Sequence, residues 1–393
     1  MTQQSSHQQT SVFTPEQHSA VARCLELNLP FVLYMRPGDS SATFMASEPE
    51  DGNNRYDLIE LKKSSKELFV IHEGLVIAPT VLVIRAQYNE KEVNALPTDK
   101  KPFAPSEAMI SPEETSFAVY YARVKSLTRL MPKSVRKIVL SRVICTPYTG
   151  TPSEIAETYF RDTQNCMRAL FFTQETGLWI VATPELLLKY DDSARIFQSM
   201  SLAGTRRAGE EADKAWSRKN TEEHNYVSQY IEEVYGSCGL EAKRVESPDT
   251  LTSGAVEHIM DMYSATGQCN STFLLNMLNP TPAVAGYPKD KALDLIARSE
   301  SHSRGCYSGW IGFFKNNDLE TYVTLRCANL YPANGKDPGK AVIFAGGGLV
   351  AGSEPYDEWI EGALKVKPLY EAIESHNEKP LGHGTAYLTD SER

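Results

Sequence analysis

The 393-residue chain contains no C-x-x-C pair, and its seven cysteines, at positions 24, 145, 166, 238, 269, 306 and 327, are odd in number and widely spaced. Disulfide frameworks use even sets and zinc knuckles use close pairs, so both are excluded and a reducing compartment is expected. There is no run of about 18 apolar residues, so no helix is expected to span a bilayer. The first residues, MTQQSSHQQT, lack the apolar stretch of a signal peptide. A cytoplasmic location is therefore expected. Positive charge is also scarce. Forty Lys and Arg stand against 50 Asp and Glu, a formal net charge of -10. That balance excludes a broad attraction for nucleic acid or an anionic membrane surface. An anionic small molecule would then need a local cationic site built from Arg, Lys or a metal. Hydrophobic residues make up 41% of the chain, enough for a large core.

The pattern along the chain predicts a polar, disordered N-terminus over residues 1–12 and a polar tail over 376–393. Between them, residues 13–110 form the N-terminal part of the fold, with short β-like runs such as LFVIHEGLVIAPTVLVIRA and a turn at Glu73-Gly74. Residues 111–375 form the main region. A helix is expected from Ser111, where Pro112 and Glu114 complete a capping box, to about Leu130. A second box at Thr151, Pro152 and Glu154 predicts a helix to about Leu170. Further helices are expected over about 213–235 and after Ser353. KIVLSRVI (137–144), LWIVATPELLLKY (178–190) and ARIFQSMSLAG (194–204) read as strands. CYSGWIGFF, TYVTLRCANLY and KAVIFAGGGLV read as a three-strand meander, turning at Asn316-Asn317-Asp318 and near Asn334-Gly335. Irregular alternation of long strands and helices gives an α+β class with large, mostly antiparallel sheets.

A few residues break these patterns. Glu223 heads the apolar stripe Val227, Tyr230, Ile231, Val234, where a carboxylate is costly unless paired or metal-bound. A helix end emerging into solvent would serve equally. Glu358, Glu361 and Lys365 share one helix face, either as a solvated face or as part of a site. Just before them, Gly346, Gly347 and Gly348 allow backbone N–H groups to approach a ligand, or simply make a tight turn. Arg326 interrupts an apolar run and needs an anion, internal or bound. Lys137 and Glu185 stand at strand positions that by themselves carry no message.

Taken together and in order, these segments resemble the chorismate-utilising enzymes, the family of isochorismate, salicylate, anthranilate and aminodeoxychorismate synthases. The resemblance covers about residues 115–370. It is carried by KIVLSR (137–142), ATPELLL (182–188), LAGTRR (202–207), EHNYV (223–227) and EHI (257–259). NPTPAVAGYP (279–288), SRGCYSGWIG (303–312), TLRCA (324–328) and AGGGLVAGSEPYDEWIE (345–361) complete it.

The resemblance implies two large facing sheets with helices outside and a site in the cleft. It implies Mg2+ on Glu223 and Glu361, with Glu358 close by. Gly204, His258, Ala283, Arg326, Gly347, Gly348 and Lys365 would surround chorismate. Lys137 matches the general base and Glu185 the general acid. Ala203 stands where aminodeoxychorismate synthases carry a lysine, and Ala283 where anthranilate synthases carry a threonine. Both departures point to water as nucleophile and to isochorismate, a precursor of menaquinone and siderophores, as product. Salicylate synthase, which eliminates pyruvate after that step, is the alternative. A non-catalytic chorismate-binding protein is the second alternative, disfavoured because acid, base and metal ligands are all present. Asn279 and Glu257 depart from the histidine and glutamine usual at those places. A monomer without an amidotransferase subunit is expected.

Overall fold

The computed structural model describes residues 11–49, 55–75, 80–102, 111–209, 215–245, 250–333 and 336–377. The expectations for residues 1–10, for the tail beyond 377 and for the Asn334-Gly335 turn lie outside them. The chain opens with α1 (Pro15–Leu27), β1 (Phe31–Met35), β2 (Thr43–Ala46), β3 (Arg55–Asp57), α2 (Leu58–Leu61), β4 (Leu68–His72), β5 (Thr80–Arg85) and α3 (Glu90–Asn94). It continues through α4 (Phe117–Ser134), β6 (Lys137–Tyr148), α5 (Pro152–Asp162), β7 (Met167–Thr173), β8 (Gly177–Thr183), β9 (Leu186–Asp191), β10 (Ile196–Arg207) and α6 (Arg218–Ser237). Next come β11 (Lys243–Val245), β12 (Thr250–Ser253), β13 (Val256–Thr266), α7 (Ser271–Leu278), β14 (Gly286–Tyr287) and α8 (Lys289–Ser299). β15 (Trp310–Lys315), β16 (Asp318–Val323), β17 (Cys327–Tyr331), β18 (Gly339–Leu349) and α9 (Pro355–Glu374) complete it.

The strands form two large sheets. One has eight strands in the order β14-β6-β18-β17-β8-β7-β1-β2. The other has ten, ordered β11-β13-β10-β9-β16-β15-β4-β5-β3 with β12 also on β13. The pairings described are antiparallel throughout. The sheets face each other across a core that includes Val32, Phe69, Phe171, Trp179, Ile311 and Phe344. Outside the eight-stranded sheet, α1, α5 and α9 bury a second cluster that includes Val21, Ile155 and Val366. Outside the ten-stranded sheet, α6 and α7 bury Val227, Ile231 and Leu275. This is the α+β arrangement of two facing antiparallel sheets that the sequence implied. Residues before 111 supply strands to both sheets, so the N-terminal part is woven into the same fold.

Several elements differ from the sequence reading, each for a local reason. The helix expected from Ser111 begins only after Ser116, whose hydroxyl accepts from Val119 N–H. The residues before it are held extended, because Thr115 N–H donates to Val143 O and Thr115 Oγ1 accepts from Val143 N–H. The Thr151–Glu154 capping box forms, but α5 stops at Asp162. The expected second half, MRALFFT, is instead β7, paired with β1 and β8 on both sides. The helix near 220 starts at Arg218, capped by Ser217.

Two long runs expected as single strands are each cut in two. LWIVATPELLLKY splits at Pro184-Glu185 into β8 of the eight-stranded sheet and β9 of the ten-stranded sheet. TYVTLRCANLY splits at Thr324–Arg326 into β16 and β17, which pass the opposite way. The expected meander is therefore two hairpins in different sheets, although the Asn316-Asn317 turn forms, both residues taking positive φ. The two crossings lie side by side. Val323 N–H donates to Glu185 O at 3.0 Å, and Ala182 N–H reaches Arg326 O at 3.5 Å. They form a seam between the sheets.

Candidate active site

At that seam the sheets part into a cleft of about 650 Å³, its opening included. Glu185, Gly204, Glu223, His258, Ala283, Arg326, Gly348 and Lys365 line it, with Tyr307, Leu325 and Phe344. Residues spread over nearly 200 positions of sequence are thus gathered in one place.

Arg326 sits in the second crossing, not in a central strand, with a left-handed φ of 49°. That turn aims its guanidinium at His258, whose Nε2 lies 2.7 Å from Nη2, and at the Ser253 hydroxyl. Arginine can only donate, so Nε2 is the acceptor and the ring proton is on Nδ1. Nδ1 faces Gly204 O at 3.3 Å and Thr205 Oγ1 at 3.2 Å. Burial, and then the charges of Arg326 and Lys365, hold His258 well below the usual histidine range. It is a neutral support for the arginine. Gly204 itself has φ +73° at the bulge where β10 shifts register against β13. A Cβ there would lie 2.7 Å from Asn220 O, so the glycine lets α6 close onto the strand.

The carboxylates come from two helices. Glu223 is buried on α6, and its Oε1 lies 3.2 Å from Lys137 Nζ at the start of β6. A side chain at Gly348 would overlap that carboxylate, so the bare strand is what admits it. On α9, Glu361 pairs with Lys365 at 2.7 Å, and Glu358 pairs with Lys219 of α6. Gly347 faces away from the cleft, toward Glu358 and Tyr120. Glu358 is 1% exposed and Glu223 5%. One oxygen of each, Glu358 Oε2 and Glu223 Oε2, is buried with no hydrogen-bond partner. Neither solvated alternative from the sequence describes these residues.

The protonation states are set by burial. Lys137 is fully buried, and desolvation pulls its ammonium below the usual lysine value against the opposing pull of Glu223 and Glu185. Glu185, 1% exposed, is pushed up to about 8 by burial, against Lys137, Lys365 and Arg326. Burial and then Glu361 push Glu358 up to about 7. For Glu361 burial acts upward too, but Lys365 and Lys219 outweigh it and the net shift is downward. A neutral carboxylic acid and a lysine biased toward the amine therefore stand beside a patch of cations.

Comparison with known proteins identifies the family. Residues 59–374 match the family model described as chorismate binding enzyme. The chain belongs to that family. It is 31% identical to isochorismate synthase EntC of Escherichia coli (strain K12) over 280 residues, 67% of this chain and 68% of that protein. It is 29% identical to isochorismate synthase MenF of Bacillus subtilis (strain 168) over 258 residues, 63% of this chain and 53% of that one. Among solved structures, the putative 2,3-dihydroxybenzoate-specific isochorismate synthase DhbC from Bacillus anthracis superposes with a TM-score of 0.69 at 21% identity. That match covers 91% of this chain and 100% of the other, and it shows the shared fold.

Within this family member, the sequence reading passed over Lys219, Thr205 and Tyr307. Lys219 stood four residues before Glu223 on the same helix face, a signal that was available. Tyr307, in the SRGCYSGWIG segment, is buried with its hydroxyl against Gly346. Arg304 fixes that segment by donating to Glu300, Val139 O and Val284 O. Of the two departures noted in sequence, Glu257 meets an ion-pair partner, and Asn279 is buried and bonded through its backbone carbonyl. Glu257 accepts from Arg206 Nε at 2.8 Å, and Asn279 O accepts from Lys289. All seven cysteines are free thiols. Among the described residues no helix is long and apolar enough to cross a membrane.

Proposed function

We propose that this chain is an isochorismate synthase, converting chorismate to isochorismate by adding water at ring carbon 2 and expelling the hydroxyl at carbon 4. The carrying observation is Glu185, held up to about 8 in the cleft, together with Lys137, held down directly behind the cleft-lining Glu223 and Gly348. The reaction needs an acid on one face of the ring and a base on the other, and the two shifts run in the directions those roles require. Lys137 takes a proton from the attacking water as its oxygen bonds to carbon 2. The ring double bond shifts, and the carbon 4 oxygen leaves with a proton from Glu185. One water enters and one departs, so the change is an isomerisation.

Chorismate carries two carboxylates, and a chain of net charge -10 must meet them locally. Arg326, braced by neutral His258, offers a fork to one of them, and Lys365 adds charge beside it. The N–H groups of the β18 glycines add neutral donors. Ala203 and Ala283, which both line the wall of the cleft, place neither a lysine nor a threonine at those two positions. The names of the relatives above favour isochorismate over salicylate as product.

Mg2+ fits the remaining donors. Among the described residues no group of three or more His, Cys, Asp or Glu side chains is placed to hold a metal ion by itself. Yet Glu223 Oε2 and Glu358 Oε2 are buried without partners beside Glu361. Carboxylate oxygens completed by waters are what this hard cation takes. When bound, it would neutralise the ring carboxylate and the charge that develops in the transition state. The test is product analysis. Chorismate with Mg2+ should yield isochorismate without pyruvate or salicylate; no turnover, or release of pyruvate, would overturn the assignment.

A further inference from the structure

Lys219 has no part in the chemistry above, yet it occupies the metal patch. It lies one helical turn before Glu223 on α6, and its ammonium holds Glu358 Oε1. The charges of Glu358, Glu361 and Glu223 together lift its pKa above the usual lysine value, against burial. Three lysines face three carboxylates here: Lys137 on Glu223, Lys365 on Glu361 and Lys219 on Glu358. Their exposures differ. The Lys137 side chain is 0% exposed and that of Lys365 18%, whereas that of Lys219 is 29%. Lys365 lines the substrate cleft, whereas Lys137 is enclosed behind Glu223 and Gly348 and Lys219 lies outside the lining.

Three buried carboxylates without counter-charge would destabilise the fold strongly. Lys219 removes that penalty at Glu358. Its long stem and partly open position let the ammonium swing aside while the carboxylate, buried on α9, stays. We propose that Lys219 is an exchangeable counter-cation. It holds Glu358 while the divalent cation is absent and yields that carboxylate when the cation binds. The released ammonium stays near the patch. This inference rests on the proposed Mg2+ site.

The consequence is competition. Mg2+ must displace the ammonium from Glu358, so its affinity in the substrate-free protein is lower than the carboxylates alone would give. Calorimetric titration of wild type and Lys219→Met with MgCl2, without chorismate, tests this. Removing a unit charge a few ångströms from the ligand should tighten Mg2+ by about tenfold or more. Glu358→Gln and the double variant separate displacement from simple field effects. In the Glu358→Gln background, Lys219→Met should change Mg2+ affinity much less. Thermal unfolding is a second readout: Lys219→Met should melt lower than wild type without Mg2+ and gain more from adding it. Mg2+ affinity unchanged or weakened in Lys219→Met, or tightened equally in both backgrounds, overturns the inference alone. Absence of Mg2+ binding in all four proteins overturns the metal assignment and the inference with it.

Discussion

Replacing Glu185 by glutamine should remove activity and at the same time make the protein's stability less sensitive to alkali. In the folded chain burial lifts this carboxyl from about 4.5 to about 8. The sign follows from proton binding. Between those two values the folded state keeps a proton that the unfolded chain has released, so stability falls as pH rises through the window. Each unit is worth about 1.4 kcal/mol, which gives a penalty of roughly 3 kcal/mol at about pH 7 and a plateau above about pH 8. Glutamine has nearly the same shape and never ionises. Urea unfolding of wild type and Glu185→Gln at about pH 5 and about pH 8.5 measures the effect. The stability difference between the two proteins should shift in favour of the variant by a few kcal/mol from the lower to the higher pH. Turnover of chorismate should fall by about 10²- to 10⁴-fold, the usual value of a lost general acid. Parallel stability profiles would show that Glu185 is not held neutral by the fold, and the acid assignment would lose its physical basis.

The same shift predicts that wild-type kcat declines above about pH 8, as Glu185 ionises, and that this limb follows Glu185 rather than the substrate. A flat rate to about pH 9.5 would count against it. Lys137→Met removes the proposed base, and in protein shown by circular dichroism to be folded it should reduce kcat by a similar 10²- to 10⁴-fold; near-normal turnover would eliminate the proposed base. Arg326→Lys keeps the charge but loses the fork that reaches His258 and Ser253, so KM for chorismate should rise by about tenfold or more with the fold intact. Gly204→Ala places a Cβ 2.7 Å from Asn220 O at φ +73°, and should lower stability by at least about 1–2 kcal/mol in thermal unfolding.

Much of the site was legible because the chemistry needs residue types that local structure does not. Glu223 was conspicuous for heading an apolar stripe, and the structure buries it there. The trio on α9 was conspicuous for following three glycines, and those glycines do make room: Gly348 admits the Glu223 carboxylate. Lys137 and Glu185 carried no local signal. Their burial depends on which strands stack over them, and that is a property of the assembled sheets. Gly347 was expected beside the substrate along with Gly348; Gly348 lines the cleft, while the Cβ side of Gly347 turns toward Glu358 and Tyr120, as the alternation of a strand's faces requires.

The errors at the strands and the location of the site have one cause. LWIVATPELLLKY and TYVTLRCANLY are apolar on both sides of their breaks, since each half is buried in its own sheet. Periodicity therefore reads straight through them. The interruptions are Pro184-Glu185 and Leu325-Arg326, a proline and two charges. A strand that leaves one sheet for the other must give up its ladder partners for a few residues, and polar side chains are tolerated only where that loss opens space. Two such crossings side by side, bonded through Val323 and Glu185, keep the sheets from closing over each other at that point. The resulting gap is the cleft, and Glu185 and Arg326 project into it because they are the residues at which each strand changes sheet. The charge that interrupted an apparently central strand, Arg326, thus marks the seam, and the same seam buries Glu185 so that its carboxylic acid stays protonated beside it.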